Sequence, residues 1–169
     1  IRQTDVLHIL MSEPFLDIIV EMCRERYPYV SFAELFHTLR SMLLPMLYLM
    51  RQKIPEADVY HSTATGYGGL LGAMAGRLKN RPFIVTEHGI YTREREEEIL
   101  RSGWVKPYFK QHWISLFYML AHCAYDNALR VTSLFPRSGN IQAELGCERS
   151  KLRVILNGIH SKRFADIPP

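Results

Sequence analysis

A short polar segment between residues 86 and 95 holds most of the side chains in this sequence that could do chemistry. It reads Thr-Glu-His-Gly-Ile-Tyr-Thr-Arg-Glu-Arg, with a glutamate, a histidine, a tyrosine and two arginines close together. Histidine can donate a hydrogen bond to a sugar hydroxyl or move a proton near neutral pH. Arginine guanidinium groups suit phosphate. The segment therefore indicates a site for a hydroxylated or phosphorylated small molecule.

Within this segment His88 is the candidate catalytic residue. The candidate substrate-binding residues of the segment are Glu87, Tyr91, Arg93 and Arg95. The glutamate could equally hold the loop by accepting hydrogen bonds from backbone N–H groups. The acidic residues 96–98 are interpreted as part of a solvated helix face with ordinary i,i+4 pairs. His61, at the end of another predicted strand, could reach the same crevice.

A glycine-rich turn upstream supplies the remaining candidate binding residues, which are Gly66, Tyr67, Gly68 and Gly69. Glycines between a strand and a helix let the backbone approach a ligand, and the helix N-terminus favours an anion. Three interpretations stay open: a dinucleotide site, close packing of the helix, or a ligand-facing loop of another kind. The dinucleotide fingerprint is incomplete, because Leu71 stands where its last glycine belongs, although Glu87 lies at a suitable distance for its acid.

Alternating strands and helices predict how these residues are positioned. The predicted strands are 58–61, 81–86, 129–133 and 152–156, and the predicted helices are about 67–78, 92–102, 107–128 and 136–146. This alternation predicts an α/β fold with a parallel, Rossmann-like sheet, covered by helices on both faces. Ligands of such sheets bind beyond the carboxyl ends of the strands, where residues 86–95 begin.

The first 55 residues read mainly as helices. Ser12 precedes Glu13-Pro14, and Ser31 with Glu34 matches a capping box, so two helices are expected to begin there. Pro45 should kink the second helix or split it in two. Residues 6–10 could add a further strand. We therefore divide the chain into a helical segment (1–55), a Rossmann-like βα half (56–159) and a linker (160–169).

Composition is that of a globular chain of about one domain, with 169 residues, 47% hydrophobic residues and a net charge of +4. The mild positive charge is dispersed, so nucleic acid is not an expected partner. The uncharged apolar run 41–50 is too short to span a bilayer. No signal peptide is visible, and three distant cysteines favour free thiols in a reducing cytoplasm over a disulfide framework or a zinc site. No metal ligands are expected.

An ordered series of motifs resembles the family 4 retaining glycosyltransferases, which have the GT-B fold. The series runs from 58–61 through 86–89 and a strand near residue 130 to Gly146, then to the strand and Asn-Gly-Ile of 154–159 with Phe164. The string 86–95, with Gly-Tyr-Gly-Gly before it, is similar to a narrower subgroup, the Pel exopolysaccharide glycosyltransferases and their relatives. The resemblance covers most of the chain and implies a partial N-terminal domain whose C-terminal partner domain follows residue 169.

The resemblance implies transfer of a sugar from a nucleotide sugar, UDP-glucose for the Pel subgroup, to a growing exopolysaccharide, without a further cofactor. His88 would face the donor sugar, while residues 66–69 and Tyr91 would shape the acceptor side. Arg93 or Arg95 would contact phosphate or anchor the loop. An inner-membrane polysaccharide export complex is the implied partner, which places the protein in the cytoplasm at the inner face of the membrane. The fragment alone is expected to be inactive.

A second hypothesis comes from a different class of protein. The methionine-rich helices of residues 1–55 could belong to a non-catalytic module that docks a partner in a membrane complex. Core packing is the ordinary role of such a methionine stripe.

Overall fold

The computed structural model describes residues 5–158 of the chain, so the predicted linker 160–169 lies outside the described residues. Three helices come first, followed by strands that alternate with helices. The elements are α1 (Val6–Leu10), α2 (Glu13–Glu25), α3 (Phe32–Met50), β1 (Tyr60–Ser62), α4 (Tyr67–Lys79), β2 (Phe83–Glu87), α5 (Tyr91–Arg101), α6 (Pro107–Asn127), β3 (Arg130–Ser133), α7 (Pro136–Glu144) and β4 (Leu152–Val154). A short 3₁₀ helix, Arg149–Lys151, precedes β4.

The four strands form one parallel sheet in the order β1-β2-β3-β4, which confirms the predicted α/β fold with a parallel sheet. Tyr60 pairs with Phe83, Thr86 with Thr132, and Ser133 with Val154. Since the strands end at nearly the same level, the residues that follow β2, β3 and β4 meet at one edge. This edge carries the residues predicted to do chemistry.

One face of the sheet is much better covered than the other, which differs from the expected two-sided cover. Along β2, the side chains of Phe83, Val85 and Glu87 are buried, whereas Ile84 and Thr86 are only partly buried. Crossovers between parallel strands are right-handed, so a sheet whose strands follow in sequential order receives its connecting helices on one face. Within residues 5–158, those helices are α4, α6 and α7, each of which packs on the strands beside it.

Helix α6 is the centre of the core, because it is buried on both sides. Its residues Ala121, Ala124 and Tyr125 pack with the buried side chains of β2 and β3. Other positions of α6, including Phe109 and Phe117, join a second cluster with α2, α3 and α5. The helix therefore connects the sheet to the N-terminal helices.

Helix α4 lies against α6 and β2 at distances that only glycine permits. A Cβ atom on Gly69 would stand 2.9 Å from the Cβ of Ala124 and 3.1 Å from the carbonyl oxygen of Ala64. A Cβ on Gly72 would collide with the buried ring of Phe83. These contacts support the helix-packing interpretation of the glycine turn.

The N-terminal helices agree with the sequence in the cap at Ser31 and differ from it at residues 6–10. Ser31 accepts a hydrogen bond from the Glu34 backbone N–H, as the capping box predicts. Residues 6–10 are a helix, so the predicted strand is wrong: the Asp5 carboxylate caps it by accepting from the Leu7 N–H, and the buried residues follow at i,i+4 spacing. Helix α3 continues through Pro45 and is not split.

Helix α7 ends at the glycine that the sequence predicts. Gly146 has a φ of +94°, the left-handed conformation that favours glycine. The N–H groups of Gly146 and Cys147 donate to the carbonyls of Ala143 and Gln142, which completes a Schellman cap. None of the described helices is long and apolar enough to cross a membrane.

The close approach of α4 to α6 predicts the effect of Gly69→Ala. Overpacking against a Cβ and a backbone oxygen costs about 1–3 kcal/mol, whereas alanine gains about 1 kcal/mol of helix propensity over glycine. We expect a net loss in the free energy of unfolding, measured by urea denaturation. Gly103→Ala is the control, because no described residue lies within 4 Å of the added Cβ. Equal stability of the two variants would contradict the packing account.

Candidate functional site

A cavity of about 190 Å³ opens where β2 and β3 end and the chain leaves β4. His88 is the first residue after β2 and is exposed at this cavity. The cavity lining combines hydroxyl, amide and imidazole groups with two aliphatic side chains, contributed by Thr86, His88, Thr132, Ser133, Leu134, Ile155 and Asn157. The crevice predicted for His88 is therefore present.

A chain of hydrogen bonds runs along one wall of this cavity. His61 Nε2 lies 2.8 Å from Thr86 Oγ1, which lies 2.6 Å from Thr132 Oγ1. The Thr132 hydroxyl is in turn 3.4 Å from the Val85 carbonyl oxygen. His61 thus reaches the crevice, as the sequence suggests, by contacting one of its wall residues.

These hydrogen bonds determine whether the Thr86 and Thr132 hydroxyls can donate to a ligand or accept from it. When His61 donates to Thr86, the Thr86 hydroxyl donates to Thr132 and the Thr132 hydroxyl donates to the Val85 carbonyl. When His61 accepts, each hydroxyl donates one step towards the histidine. In both arrangements the hydroxyl protons are used within the protein, with Thr132 bonded to the Val85 carbonyl only in the first, so only oxygen lone pairs remain for the cavity. The wall therefore favours ligands that donate hydrogen bonds.

Charged side chains are absent from the described lining of this cavity, which differs from a phosphate site. The guanidinium of Arg93 lies 3.5 Å from the Glu144 carboxylate of α7. Arg95 pairs with Glu98 at 2.5 Å, and its guanidinium carbon lies 5.3 Å from the centre of the Tyr91 ring. Both arginines thus contact groups of the protein that anchor helix α5.

Glu87 points away from the cavity into the interior, where it is 2% exposed. Its carboxylate accepts hydrogen bonds from the Tyr125 hydroxyl at 2.7 Å, the Gln142 amide at 2.9 Å and the Thr65 hydroxyl at 3.2 Å. Burial, with the neighbouring Glu87 carboxylate, raises the pKa of Tyr125 and keeps its hydroxyl protonated as a donor. This geometry matches the alternative in which Glu87 holds the surrounding structure together, but its hydrogen-bond donors are side chains rather than backbone N–H groups.

Two aromatic rings, those of Tyr67 and Tyr91, pack on α6 beside Gly66, and none of these three residues lines the cavity. The rings of Tyr67 and Tyr91 meet the ring of Phe117 edge-on, with centres 6.3 and 6.0 Å away. A Cβ on Gly66 would collide with the Tyr91 ring. Burial, with a smaller contribution from Tyr91, raises the pKa of Tyr67. The structure therefore brings these three predicted residues together by packing.

A second, larger cavity of about 390 Å³ lies on the other side of His61. His61 and Gly68 both line it, along with Ser62 of β1 and Lys53. Because His61 lines this cavity and Thr86 lines the first, the hydrogen bond between them connects the walls of the two cavities. Gly68 and His88 therefore belong to neighbouring cavities.

Residues 2–150 match the family model described as a domain of unknown function, DUF3492. The chain belongs to this family. It has no significant match among curated proteins. The family match spans the helices α1–α7, the strands β1–β3 and the residues that surround Glu87. It ends before Ile155 and Asn157, which complete the cavity beside His88.

The sequence reasoning about this family member missed two groups of residues. Thr132 and Ser133 line the cavity, and Tyr125 and Gln142 hold Glu87. Adjacent polar residues at the end of β3 were a signal for the first group, since that strand end lies beside β2. The second group had no local signal, because a tyrosine and a glutamine within helices commonly serve other roles.

The buried carboxylate predicts a large effect of Tyr125→Phe on stability. This change removes one hydrogen bond to Glu87 without removing the ring. A bond to a buried charged group contributes about 1.5–3 kcal/mol, and no water can replace it here. We expect the free energy of unfolding to fall by about 2 kcal/mol, as measured by chemical denaturation.

Tyr118→Phe is the matched control, because the Tyr118 hydroxyl also donates to a glutamate, Glu96, at 2.7 Å. That pair is only partly buried, so water can replace the lost hydroxyl. We expect this variant to lose less than about 1 kcal/mol. If both variants lost the same small amount, Glu87 would not be the anchor described above.

Proposed function

We propose that the chain is part of a retaining glycosyltransferase that moves a sugar from a nucleotide sugar, UDP-glucose by the Pel resemblance, to a growing exopolysaccharide. The proposal includes action on the cytoplasmic side of the inner membrane, together with a polysaccharide export complex. The nucleotide sugar and a saccharide acceptor are its ligands.

The observation that carries the proposal is the uncharged, acceptor-rich wall beside His88. A sugar ring presents several hydroxyl donors, and the lone pairs of Thr86 and Thr132 can accept from them. Leu134 and Ile155 offer apolar contact to the ring carbons. A diphosphate, which only accepts hydrogen bonds, would find no cation among the described residues of this lining. The proposal therefore assigns the sugar, rather than the phosphates, to this cavity.

Transfer with retention at this site would depend on positioning and on stabilising charge. The sugar develops oxocarbenium character as the diphosphate departs, and polar groups held in place beforehand stabilise such charge without reorganising. The His88 imidazole could contact the sugar through a ring nitrogen while the threonines accept from its hydroxyls. The nucleotide contacts would come from a second domain, in keeping with the expected inactivity of the fragment alone.

His88→Ala in the full-length protein tests this proposal. Losing one positioned polar contact to a charge-developing sugar costs about 3 kcal/mol of barrier, so kcat for sugar transfer should fall about a hundredfold. His88 is exposed, so its removal leaves no buried cavity, and the unfolding midpoint should stay within about 1 °C.

Arg101→Ala provides the control, because Arg101 is 81% exposed and pairs with Glu97 on the α5 surface. It should leave kcat within a few-fold of the unchanged protein. Near-normal turnover of His88→Ala, or a loss of activity explained by unfolding, would refute the role of His88. Absence of any sugar transfer by the unchanged full-length protein would favour a non-catalytic docking module.

A further inference from the structure

Both tryptophans of residues 1–169 lie in one pocket, which shares no lining residue with the His88 cavity. The pocket has a volume of about 180 Å³ and lies between α3 and the segment that joins α5 to α6. Trp104 and Trp113 form one side of it, and His37, Thr38 and Ser41 of α3 form the other. The sequence contains two tryptophans in all. The proposed transfer reaction does not involve either of them.

Trp104 is 66% exposed and packs one edge against its neighbour. Its ring meets that of Trp113 edge-on, with centres 5.6 Å apart and planes at 77°. Trp113 is itself buried, as is the next residue after Trp104, Val105. The Lys110 ammonium donates to the carbonyls of Leu100 and Ser102, which ties the joining segment to α6. The Trp104 ring thus presents a large aromatic surface to solvent.

The opposite side of the pocket is polar. Ser41 donates its hydroxyl proton to the His37 carbonyl at 2.7 Å, which leaves its lone pairs for a ligand. The exposed His37 imidazole can donate or accept, and Thr38 adds a hydroxyl. A ligand here would meet aromatic rings on one face and hydrogen-bonding groups on the other.

Charge at the rim favours a neutral ligand. Lys106 lines the pocket, but its ammonium lies 4.0 Å from the Glu34 carboxylate. The Tyr108 hydroxyl also donates to Glu34, at 3.0 Å. Because the lysine is balanced by a carboxylate, the pocket offers no net positive charge to an anionic lipid or a phosphate.

We propose that this tryptophan pocket binds a pyranose ring of a neutral saccharide. A pyranose has an apolar face of C–H groups that can stack on an indole ring and a rim of hydroxyls that can bond to α3. The pocket holds about one such ring. The site is separate from the cavity beside His88 and needs no transfer reaction to operate, so it goes beyond the proposed function.

Fluorine NMR of protein labelled with fluorotryptophan tests this inference directly. The resonances of these two tryptophans are assigned from Trp104→Phe and Trp113→Phe, each of which removes one signal. Cellotetraose and chitotetraose, as neutral β-linked probes, should shift the Trp104 resonance in a saturable way with a millimolar dissociation constant. Neither probe requires the protein to be active, so this test and the His88 test can fail separately.

Substitutions locate the binding and provide the control. Trp104→Ala should weaken oligosaccharide binding by at least about tenfold in calorimetry, because a central aromatic contact is lost. Tyr48→Ala is the matched control, since Tyr48 is an exposed aromatic residue of the same helix α3 outside the pocket lining. It should leave the dissociation constant unchanged.

Three outcomes would overturn the inference. The Trp104 resonance does not shift at saturating concentrations of either oligosaccharide; Trp104→Ala binds as tightly as the unchanged protein; or vesicles of phosphatidylcholine shift the resonance while the saccharides do not. The last result would assign the aromatic surface to a membrane interface instead.

Discussion

The buried carboxylate of Glu87 is the interaction on which the geometry of this protein depends most. It ends β2 and accepts hydrogen bonds from three different segments: the β1–α4 loop, helix α6 and helix α7. A buried carboxylate is stable only when several donors satisfy it, so these segments must approach β2 together. The position of the loop, of both helices and of the strand end is therefore determined at one point.

The alternation of side chains along β2 places the packed residues on one face of the strand and a residue of the candidate site on the other. Phe83, Val85 and Glu87 face the helices and are buried. Thr86 faces the opposite side, and His88 follows the strand into the cavity. Because successive strand residues point to opposite faces, the anchor at Glu87 fixes the backbone directly before His88 while leaving its imidazole accessible. A rigid backbone beneath an exposed polar group is what a site for precise positioning requires.

Much of this architecture could be predicted from the sequence, because local signals and packing agree. The capping box at Ser31, the left-handed glycine at 146 and the apolar β2 strand each indicate their element from residues nearby. Prediction failed at residues 6–10, where a short apolar run fits a strand or a helix equally and the Asp5 cap decides. The side chains that donate to Glu87 could not be predicted, since contacts such as Tyr125 to Glu87 join residues 38 positions apart.

The glycine turn shows why a motif needs its surroundings before a role is assigned. Glycines before a helix suit phosphate and close packing equally well in sequence. Here the space beside Gly66 is filled by the Tyr91 ring, and the space beside Gly69 is limited by Ala64 and Ala124. Close packing therefore accounts for glycine at those two positions without a bound phosphate. In the two proposals made above, recognition rests on hydroxyl, imidazole and indole groups, and these suit a neutral polyhydroxylated ligand better than an anion.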